Sequence, residues 1–447
     1  MVFEAGRPLP ALAPYVLSGV QAVLFGRDVQ RRAERRLDAS LSEQQLILGI
    51  PDRWMSGAHA SIRLALSSWV IEDTKSRNGS FVNGKRLVKA TELLDGDVLE
   101  LGHTILVFRA SAALEPGSVD LPPDDGREPG LLTLRPQLDS SLRQLERVAP
   151  TPSVSVMLRG ETGTGKDVVV RALHRLSGRP GKLQAVNCGA IPEPLVESEL
   201  FGSVKGAFTG AEDRPGLIRS SDNGTLFLDE IGDFSLASQA SLLRVLEQQE
   251  VTPVGGNKSY KVNLRVVTAT HRDLEAMAAK GEFRQDLLAR LSGYKLTLPP
   301  LRERREDLGH LTSALLSRHL EGRAASLSFG QLAARALFVY SWPLNVRELE
   351  KALTRAAALA DENQIEVEDL PDEVQKALDE PADLEEEPPL PPGKPIPPNE
   401  LERCQLLIEL MKKHKGNVTA VAREMKKARM QIQRWLKRYN INRADFL

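Results

Sequence analysis

Gly160-Glu161-Thr162-Gly163-Thr164-Gly165-Lys166-Asp167 is the stretch that decides the fold of this chain. The apolar run Val154-Ser155-Val156-Met157-Leu158 before it reads as a buried strand, and Val168-Val169-Val170-Arg171-Ala172-Leu173 after it continues as a helix. In that strand, loop, helix setting the spacing GxxxxGK is a phosphate-binding loop. The glycines let the backbone curl so that several N–H groups point at a triphosphate, and the helix N-terminus adds favourable partial charge. Lys166 then sits against the β- and γ-phosphates. Asp167 stands where many such loops carry a Ser or Thr that helps hold Mg²⁺, so the metal must rely more on another acidic group.

Gly224-Thr225-Leu226-Phe227-Leu228-Asp229-Glu230 supplies it, an apolar strand ending in two carboxylates about 65 residues further on. One acid holds Mg²⁺ and the next polarises water, which assigns Asp229 to the metal and Glu230 to the water.

At 447 residues the chain is long enough for about three domains. Its formal net charge of -1 gives no global field towards nucleic acid or membrane, so any such surface is local. Only Cys188 and Cys404 are present, which disfavours a disulfide framework and suits a reducing cytoplasm. The seven histidines lack ligand spacing, no apolar run approaches a membrane span, and Glu4, Arg7 and three prolines by Pro14 are unlike an export signal. A soluble cytoplasmic protein without membrane contact is the expectation.

Two stretches break the chain. Residues 111–130 are rich in Pro, Gly and acids, and Asp379 to Glu400 contains Glu385-Glu386-Glu387-Pro388-Pro389 followed by five further prolines. Neither can bury enough apolar surface to fold. The expected division is therefore an N-terminal module over 1–110, a linker over 111–130, an α/β ATPase over 131–378, a Pro/Glu-rich linker over 379–400 and a small α-helical domain over 401–447.

In the first module, short apolar runs at Ala22 to Phe25, Leu46 to Ile50, Ala60 to Leu64, Trp69 to Glu72, Val98 to Leu101 and Thr104 to Phe108 alternate with turn residues, the pattern of an all-β sandwich. Gly26-Arg27, Ser56-Gly57-Ala58-His59, Ser76-Arg77-Asn78-Gly79-Ser80-Phe81-Val82-Asn83-Gly84 and Asp95-Gly96-Asp97 make it resemble a forkhead-associated (FHA) domain. The resemblance implies that loops at one end hold a phosphothreonine: Arg27 and Ser56 on the phosphate, Arg77 beside it, Asn78 on the peptide backbone, and His59 bracing the loop. A phosphothreonine brings about −1.5 to −2 charges and three acceptor oxygens, which an Arg and a hydroxyl can match. Between Arg27 and Leu46 an insertion carries Arg31-Arg32, Arg35-Arg36 and several acids.

In the central region strands and helices alternate as a mostly parallel sheet requires, one strand ending at Asn187 and another running from Leu264 to Thr270. Between the phosphate loop and Asp229 lies Glu199-Leu200-Phe201-Gly202-Ser203-Val204-Lys205-Gly206-Ala207-Phe208-Thr209-Gly210-Ala211. A single Phe and Thr framed by glycines reads as an exposed loop with an apolar tip, a contact surface that nucleotide state could raise or lower.

That segment matches the GAFTGA motif of bacterial enhancer-binding proteins, the AAA+ activators of sigma-54 RNA polymerase. Phe283-Arg284-Gln285-Asp286-Leu287-Leu288-Ala289-Arg290-Leu291, Leu298-Pro299-Pro300-Leu301-Arg302-Glu303-Arg304 and Trp342-Pro343-Leu344-Asn345-Val346-Arg347-Glu348-Leu349 extend the resemblance across the domain. It implies an AAA+ P-loop ATPase with an α-helical lid, taking ATP and Mg²⁺, in which Gly206, Ala207, Phe208, Thr209, Gly210 and Ala211 form the loop that meets sigma-54. Arg284 and Arg290 reach a neighbouring subunit's nucleotide, Arg347 senses nucleotide from the lid, Asn187 couples to Glu230, and Thr270 and His271 lie at the γ-phosphate sensor position. An arginine supplied in trans is worth roughly 10³ to 10⁵ in rate, so activity depends on assembly into a homo-oligomeric ring; the family resemblance implies a hexamer built from dimers, and the sequence does not fix the ring size. Leu344 replaces a Gly usual before the lid helix, and a positive φ there would strain it.

From Leu401 onward the net charge is +8. Leu401 to Lys415, with apolar Leu406, Leu407, Leu410 and Met411, reads as one helix; Val418 to Met425 and Arg429 to Tyr439 read as two more. This resembles the Fis-type helix-turn-helix of many enhancer-binding proteins, whose second motif helix enters the major groove, with Arg429, Gln431, Gln433 and Arg434 near bases or phosphates and Lys437 and Arg438 on backbone. The expected partners are enhancer DNA, sigma-54 RNA polymerase and a phosphothreonine-containing protein, the product of a serine/threonine kinase. One rival is an AAA+ ATPase that remodels another protein and uses the tail as a tether; another is a non-catalytic DNA-binding regulator, disfavoured by Lys166, Asp229, Glu230, Arg284 and Arg290 together.

Overall fold

A computed structural model describes residues 2–4, 15–110, 128, 130–207, 211–320, 322–378, 398–414, 421, 424, 425, 435, 436, 439 and 441. It divides into two compact units, Met1–Gln375 and Lys376–Leu447.

The N-terminal part of the first unit is a two-sheet sandwich. One sheet runs Arg32–Asp38, Glu43–Ile50, Ala22–Arg27, Ala60–Ala65, Ser68–Asp73, Thr91–Glu92; the other runs Val2–Glu4, Thr104–Val107, Val98–Leu101, Ser80–Val82, Lys85–Arg86. Alternating apolar residues from both inner faces, among them Val23, Phe25, Leu46, Leu48, Ile62, Ile71, Leu99 and Leu106, fill the space between them. The insertion after Arg27 is itself a strand, Arg32–Asp38, paired antiparallel with Glu43–Ile50 from Arg32↔Gly49 to Asp38↔Glu43. Every residue but its last is exposed, so no alternation announces it, and its charges protect a bare sheet edge from pairing with other chains.

The ATPase core is a five-stranded, wholly parallel sheet in the order Leu183–Asn187, Thr225–Asp229, Arg265–Thr270, Val156–Arg159, Tyr294–Thr297. Its three inner strands are near-continuous buried runs because helices cover both faces, whereas the edge strands Leu183–Asn187 and Tyr294–Thr297 are partly exposed. Pro136–Val148 and Lys166–Leu176 pack on one side through Leu138, Leu142, Leu145, Val170 and Leu173, and Leu236–Gln248 and Gln285–Leu291 on the other through Leu242, Leu243, Leu287 and Leu291. Arg265, fully buried at the start of the central strand, donates to the carbonyls of Val148 and Ala149 at the C-terminus of Pro136–Val148, where the helix dipole favours a cation. Burial pushes its guanidinium down to about 10. A helical lid follows: Leu308–His319, Gln331–Val339 and Asn345–Leu359.

In the second unit the helix Pro398–Lys413 starts three residues before the expected boundary at Leu401, its proline in the first turn where the missing N–H costs nothing. Cys404, Leu407, Leu410 and Met411 form its buried face with Val421, Trp435, Leu436 and Tyr439. Leu406, expected on that face, is exposed, because it lies about 100° round the helix from Leu407. Both cysteines are buried, and no described helix is long and apolar enough to cross a membrane.

Candidate functional site

The phosphate loop leaves the sheet at Arg159 and enters Lys166–Leu176, with Gly163 and Gly165 in the left-handed region at φ 79° and 95°. A side chain at Gly163 would meet the carbonyl oxygen of Leu344 at 2.2 Å, so this glycine also lets the lid close onto the loop. Lys166 is buried, its Nζ donating to the carbonyls of Gly160 (2.8 Å) and Glu161 (3.1 Å) and lying 4.0 Å from Glu230 Oε1.

Asp229 and Glu230 arrive at the same edge on the neighbouring strand but one. Burial, with the charges of Glu230 and Asp167, pushes the Asp229 carboxyl up against the opposing pull of Lys166. Glu230 has φ +54°, and its Oε2 accepts from the His271 ring at Nδ1 (2.7 Å) and from the His271 backbone N–H (3.3 Å). Asn187 sits opposite Asp229 in register, but its Oδ1 caps the next turn by accepting from Gly189 N–H at 3.0 Å. Among the described residues Glu230 is hydrogen-bonded to His271, and no hydrogen bond joins it to Asn187. Thr270 is buried at the strand end, and its hydroxyl oxygen accepts from Arg272 N–H at 3.0 Å.

The lid closes the site from above. Val346 N–H donates to Gly163 O (2.9 Å), and Arg347 lines a cavity of about 640 Å³ with Gly163, Thr164, Gly165 and Asp167. Fully buried Asn345 accepts from Leu301 N–H (2.7 Å) and donates to Thr162 O (3.0 Å) and Glu161 (3.2 Å). Leu344 is exposed with φ −101°, so the expected strain does not arise; the left-handed positions in this turn are Trp342 and Asn345. The far end of the cavity is apolar, formed by Leu132, Leu138, Leu142 and Leu311 beside His310, whose imidazole burial keeps below its usual range. No motif in the sequence marks that end. Arg284, bonded twice to Asp286 (3.1 and 2.7 Å), and Arg290, bonded to Leu246 O (3.1 Å), are exposed and do not line the cavity of their own chain.

The helix Glu193–Phe201 leads from this edge into the two-stranded stem Gly202–Ser203 and Arg214–Pro215. Lys205 N–H is held by Asp213 (2.9 Å), and Val204 N–H donates to Val254 O (3.2 Å), so a second loop near Val254 docks against the stem. Gly206, Ala207 and Ala211 lie at the described margins of the tip; Phe208, Thr209 and Gly210 lie outside the described residues.

At one end of the sandwich Gly26 passes the Gly57 carbonyl so closely that a Cβ would sit 2.1 Å from it, which brings exposed Arg27 beside Ser56. Ser56 Oγ accepts from Arg77 N–H (3.1 Å), and exposed Asn78 donates from Nδ2 to Trp54 O (2.7 Å). His59 is fully buried, accepting from Ser56 N–H at Nδ1 (3.0 Å) and donating from Nε2 to Gly79 O (3.2 Å). The bracing role thus has a geometry. Asp52, which nothing in the sequence singled out, ties this loop to the 102–104 turn through Trp54 N–H (2.8 Å), His103 N–H (2.7 Å) and the Thr104 hydroxyl (3.0 Å).

Residues 131–297 match the sigma-54 interaction domain family, 302–387 the AAA+ ATPase lid domain and 23–102 the FHA domain. The regulatory protein AtoC of Escherichia coli is 38% identical over 320 residues, 70% of this chain and 68% of AtoC. This chain belongs to the sigma-54-dependent transcriptional regulators. The acetoin catabolism regulatory protein of Cupriavidus necator is 41% identical over 322 residues, 69% of this chain, and the match spans only 47% of that regulator. A solved structure of NtrX from Brucella abortus in complex with ATP is 30% identical, covering 69% of this chain and 68% of its own at a TM-score of 0.49.

As in its family, the central domain of this regulator is an AAA+ ATPase, and its FHA domain lies directly against it. Glu100, buried in the FHA strand Val98–Leu101, receives Arg335 of the lid helix Gln331–Val339 at 2.9, 2.8 and 2.7 Å, with the guanidinium 5.0 Å over the Phe81 ring. Arg109 reaches buried Glu306 (2.5 Å) and the Glu303 carbonyl (2.9 Å). The same 302–307 segment holds the phosphate loop, through Arg302 to Glu161 (2.9 and 2.6 Å) and Arg304 to Thr164 O (2.7 Å). The six residues expected on DNA, Arg429, Gln431, Gln433, Arg434, Lys437 and Arg438, lie outside the described residues.

Proposed function

We propose that this regulator binds enhancer DNA through its C-terminal unit, assembles into a homo-oligomeric ring, and uses ATP hydrolysis to remodel sigma-54 RNA polymerase into the open complex. Phosphothreonine recognition by the FHA domain sets the state of the ATPase. The observation that carries the reading is the convergence of Lys166, Asp229 and Glu230 at the sheet edge from which Glu193–Phe201 runs to the stem of the GAFTGA loop. A change at the phosphates therefore has a short path along Glu193–Phe201 to the stem of the loop whose Phe208 and Thr209 are the proposed sigma-54 contacts.

In this reading the triphosphate lies along the loop from Gly160 to Asp167 with Lys166 on its β- and γ-oxygens, and the adenine occupies the apolar end of the cavity near His310 and Leu311. Mg²⁺ fits Asp229: burial and the neighbouring carboxylates raise its carboxyl, a charge crowding that a divalent cation relieves. When bound, the ion would neutralise charge developing between the β- and γ-phosphates. Glu230 polarises the attacking water, Arg347 reports nucleotide to the lid, and exposed Arg284 and Arg290 are available to an adjoining subunit. At the other end of the chain, Arg27, Ser56, Arg77 and Asn78 form the phosphothreonine site.

Transcription in vitro from an enhancer-bearing sigma-54 promoter tests the reading, comparing wild type with Thr209→Ala while ATP turnover is followed. The variant is expected to hydrolyse ATP and lose open-complex formation. Wild-type protein that turns over ATP yet never opens the promoter, with enhancer and phosphopeptide supplied, would point to a different remodelling target.

A further inference from the structure

We infer that His271 is the positioning residue for the water-activating carboxylate, pinning one oxygen of Glu230 so that the other faces the phosphates. The inference rests on the assignment of Glu230 to the water, and it replaces contact with γ-phosphate as the task of the His271 ring. Three features of the geometry support it. The two oxygens of Glu230 are used differently: Oε2 takes both hydrogen bonds from His271, while Oε1 lies 4.0 Å from Lys166 Nζ, on the side where the triphosphate lies. The backbone of Glu230 is in the left-handed region at φ +54°, a conformation a non-glycine residue holds only where its surroundings fix it, so the side chain leaves the strand in one direction. Asn187, the other candidate for this task, makes no hydrogen bond to Glu230 among the described residues, its Oδ1 accepting from Gly189 N–H.

The pair contributes little to stability. The His271 side chain is 48% exposed, so its contact with Glu230 competes with water and adds little to the folded state. What the contact does supply is direction. A carboxylate free to rotate presents either oxygen at many angles, whereas one with Oε2 tied at 2.7 Å presents Oε1 in a single orientation. Proton abstraction depends steeply on that orientation, and a displacement of about 1 Å can cost about 10²-fold in rate. For the ring to donate here, the proton must be on Nδ1. Nδ1 is three bonds from Cα, as is Nδ2 of an asparagine; Nε2 of a glutamine is one bond further.

That difference gives the test. ATP turnover of the full chain, at protein concentrations where the rate per subunit no longer rises, is measured for His271→Ala, His271→Asn, His271→Gln and Glu230→Gln, with nucleotide affinity measured separately by a fluorescent ATP analogue. We expect His271→Ala to lower kcat by about 10- to 100-fold with KM and analogue affinity within about twofold of wild type. His271→Asn should recover most of the loss and His271→Gln should not. A rise in KM and loss of analogue binding at unchanged kcat would make His271 a phosphate ligand and overturn the inference. So would a kcat for His271→Ala within twofold of wild type while Glu230→Gln is inactive. Turnover retained by Glu230→Gln would instead remove the assignment of the water to Glu230, on which the inference stands. Thermal melting of each variant separates all of these outcomes from a folding defect, and the exposed position of His271 predicts none.

Discussion

His59 touches no ligand in the proposed phosphothreonine site, yet the loop that carries Ser56 is held by its ring. Nδ1 accepts from Ser56 N–H, so the proton is on Nε2, where it is donated to Gly79 O. A second proton would turn the acceptor into a donor and break the first of these bonds. Burial, the largest influence, holds the imidazole below its usual range, opposed by the Gly79 carbonyl and the charges of Asp73 and Asp52. With a folded-state pKa below the unfolded value, the ring contributes stability that is complete above about pH 6.5 and is lost as pH falls towards the folded value. Urea unfolding of the FHA domain within the intact chain is therefore expected to show a stability loss below about pH 6.5, approaching 1.4 kcal/mol per pH unit from this one proton. His59→Gln, less stable at neutral pH, should flatten that slope; an unchanged slope would place the titrating group elsewhere. The same limit to local reading applies here: the spacing Ser56-Gly57-Ala58-His59 identifies the loop, but only the fold brings Gly79 to the far nitrogen.

At the scale of elements, the turn into the lid helix Asn345–Leu359 shows what sequence could and could not locate. Leu344, where a glycine was the expectation, takes φ −101° with its side chain in solvent, and the left-handed conformation falls on Asn345 at φ 56°. Asparagine tolerates that region, and its amide serves both neighbours, taking Leu301 N–H and giving to Thr162 O. Leu344→Gly should therefore change the melting free energy by less than about 1 kcal/mol. Asn345→Ala should cost about 2–4 kcal/mol, since it puts alanine in a left-handed position and leaves the Leu301 N–H buried without a partner. It should also raise KM for ATP several-fold by loosening Arg347; equal effects from the two substitutions, in melting or in KM, would refute this account of the turn. The phosphate loop and the Asp229 strand were legible because their chemistry is written in short spacings inside apolar runs. The edge strand Arg32–Asp38 was not, because it is exposed along its length and shows charge on both faces. Nor was the bond between His271 and Glu230, made across 41 residues by adjacency in the parallel sheet.

Across the whole first unit, the FHA domain and the ATPase are joined by ion pairs that link residues 235 and 197 positions apart, Glu100 with Arg335 and Arg109 with Glu306. The two pairs grip different parts of the ATPase. Both lie within the lid match, Arg335 on the helix Gln331–Val339 and Glu306 in the 302–307 segment whose Arg302 and Arg304 hold Glu161 and Thr164 of the phosphate loop. Through these two pairs the FHA domain bears on both the helix Gln331–Val339 and the segment that anchors the phosphate loop. The 102–104 turn, bonded through Asp52 to the proposed phosphothreonine loop, lies two residues after Glu100, so a peptide bound there would act on the same short stretch as the lid contact. Removing one partner of a buried ion pair costs about 3–5 kcal/mol because the other charge is left in the interior, while replacing both by apolar side chains is often neutral. Arg335→Ala is thus expected to release the FHA domain from the lid, read as faster hydrogen exchange over both Val98–Val107 and Gln331–Val339 and as an ATP turnover that no longer responds to phosphothreonine peptide. The double substitution Glu100→Met with Arg335→Met should restore slow exchange over both segments by packing against Phe81. Slow exchange in Arg335→Ala would mean that Arg109 and Glu306 suffice to hold the domain, and control of the lid would then pass through the phosphate loop alone.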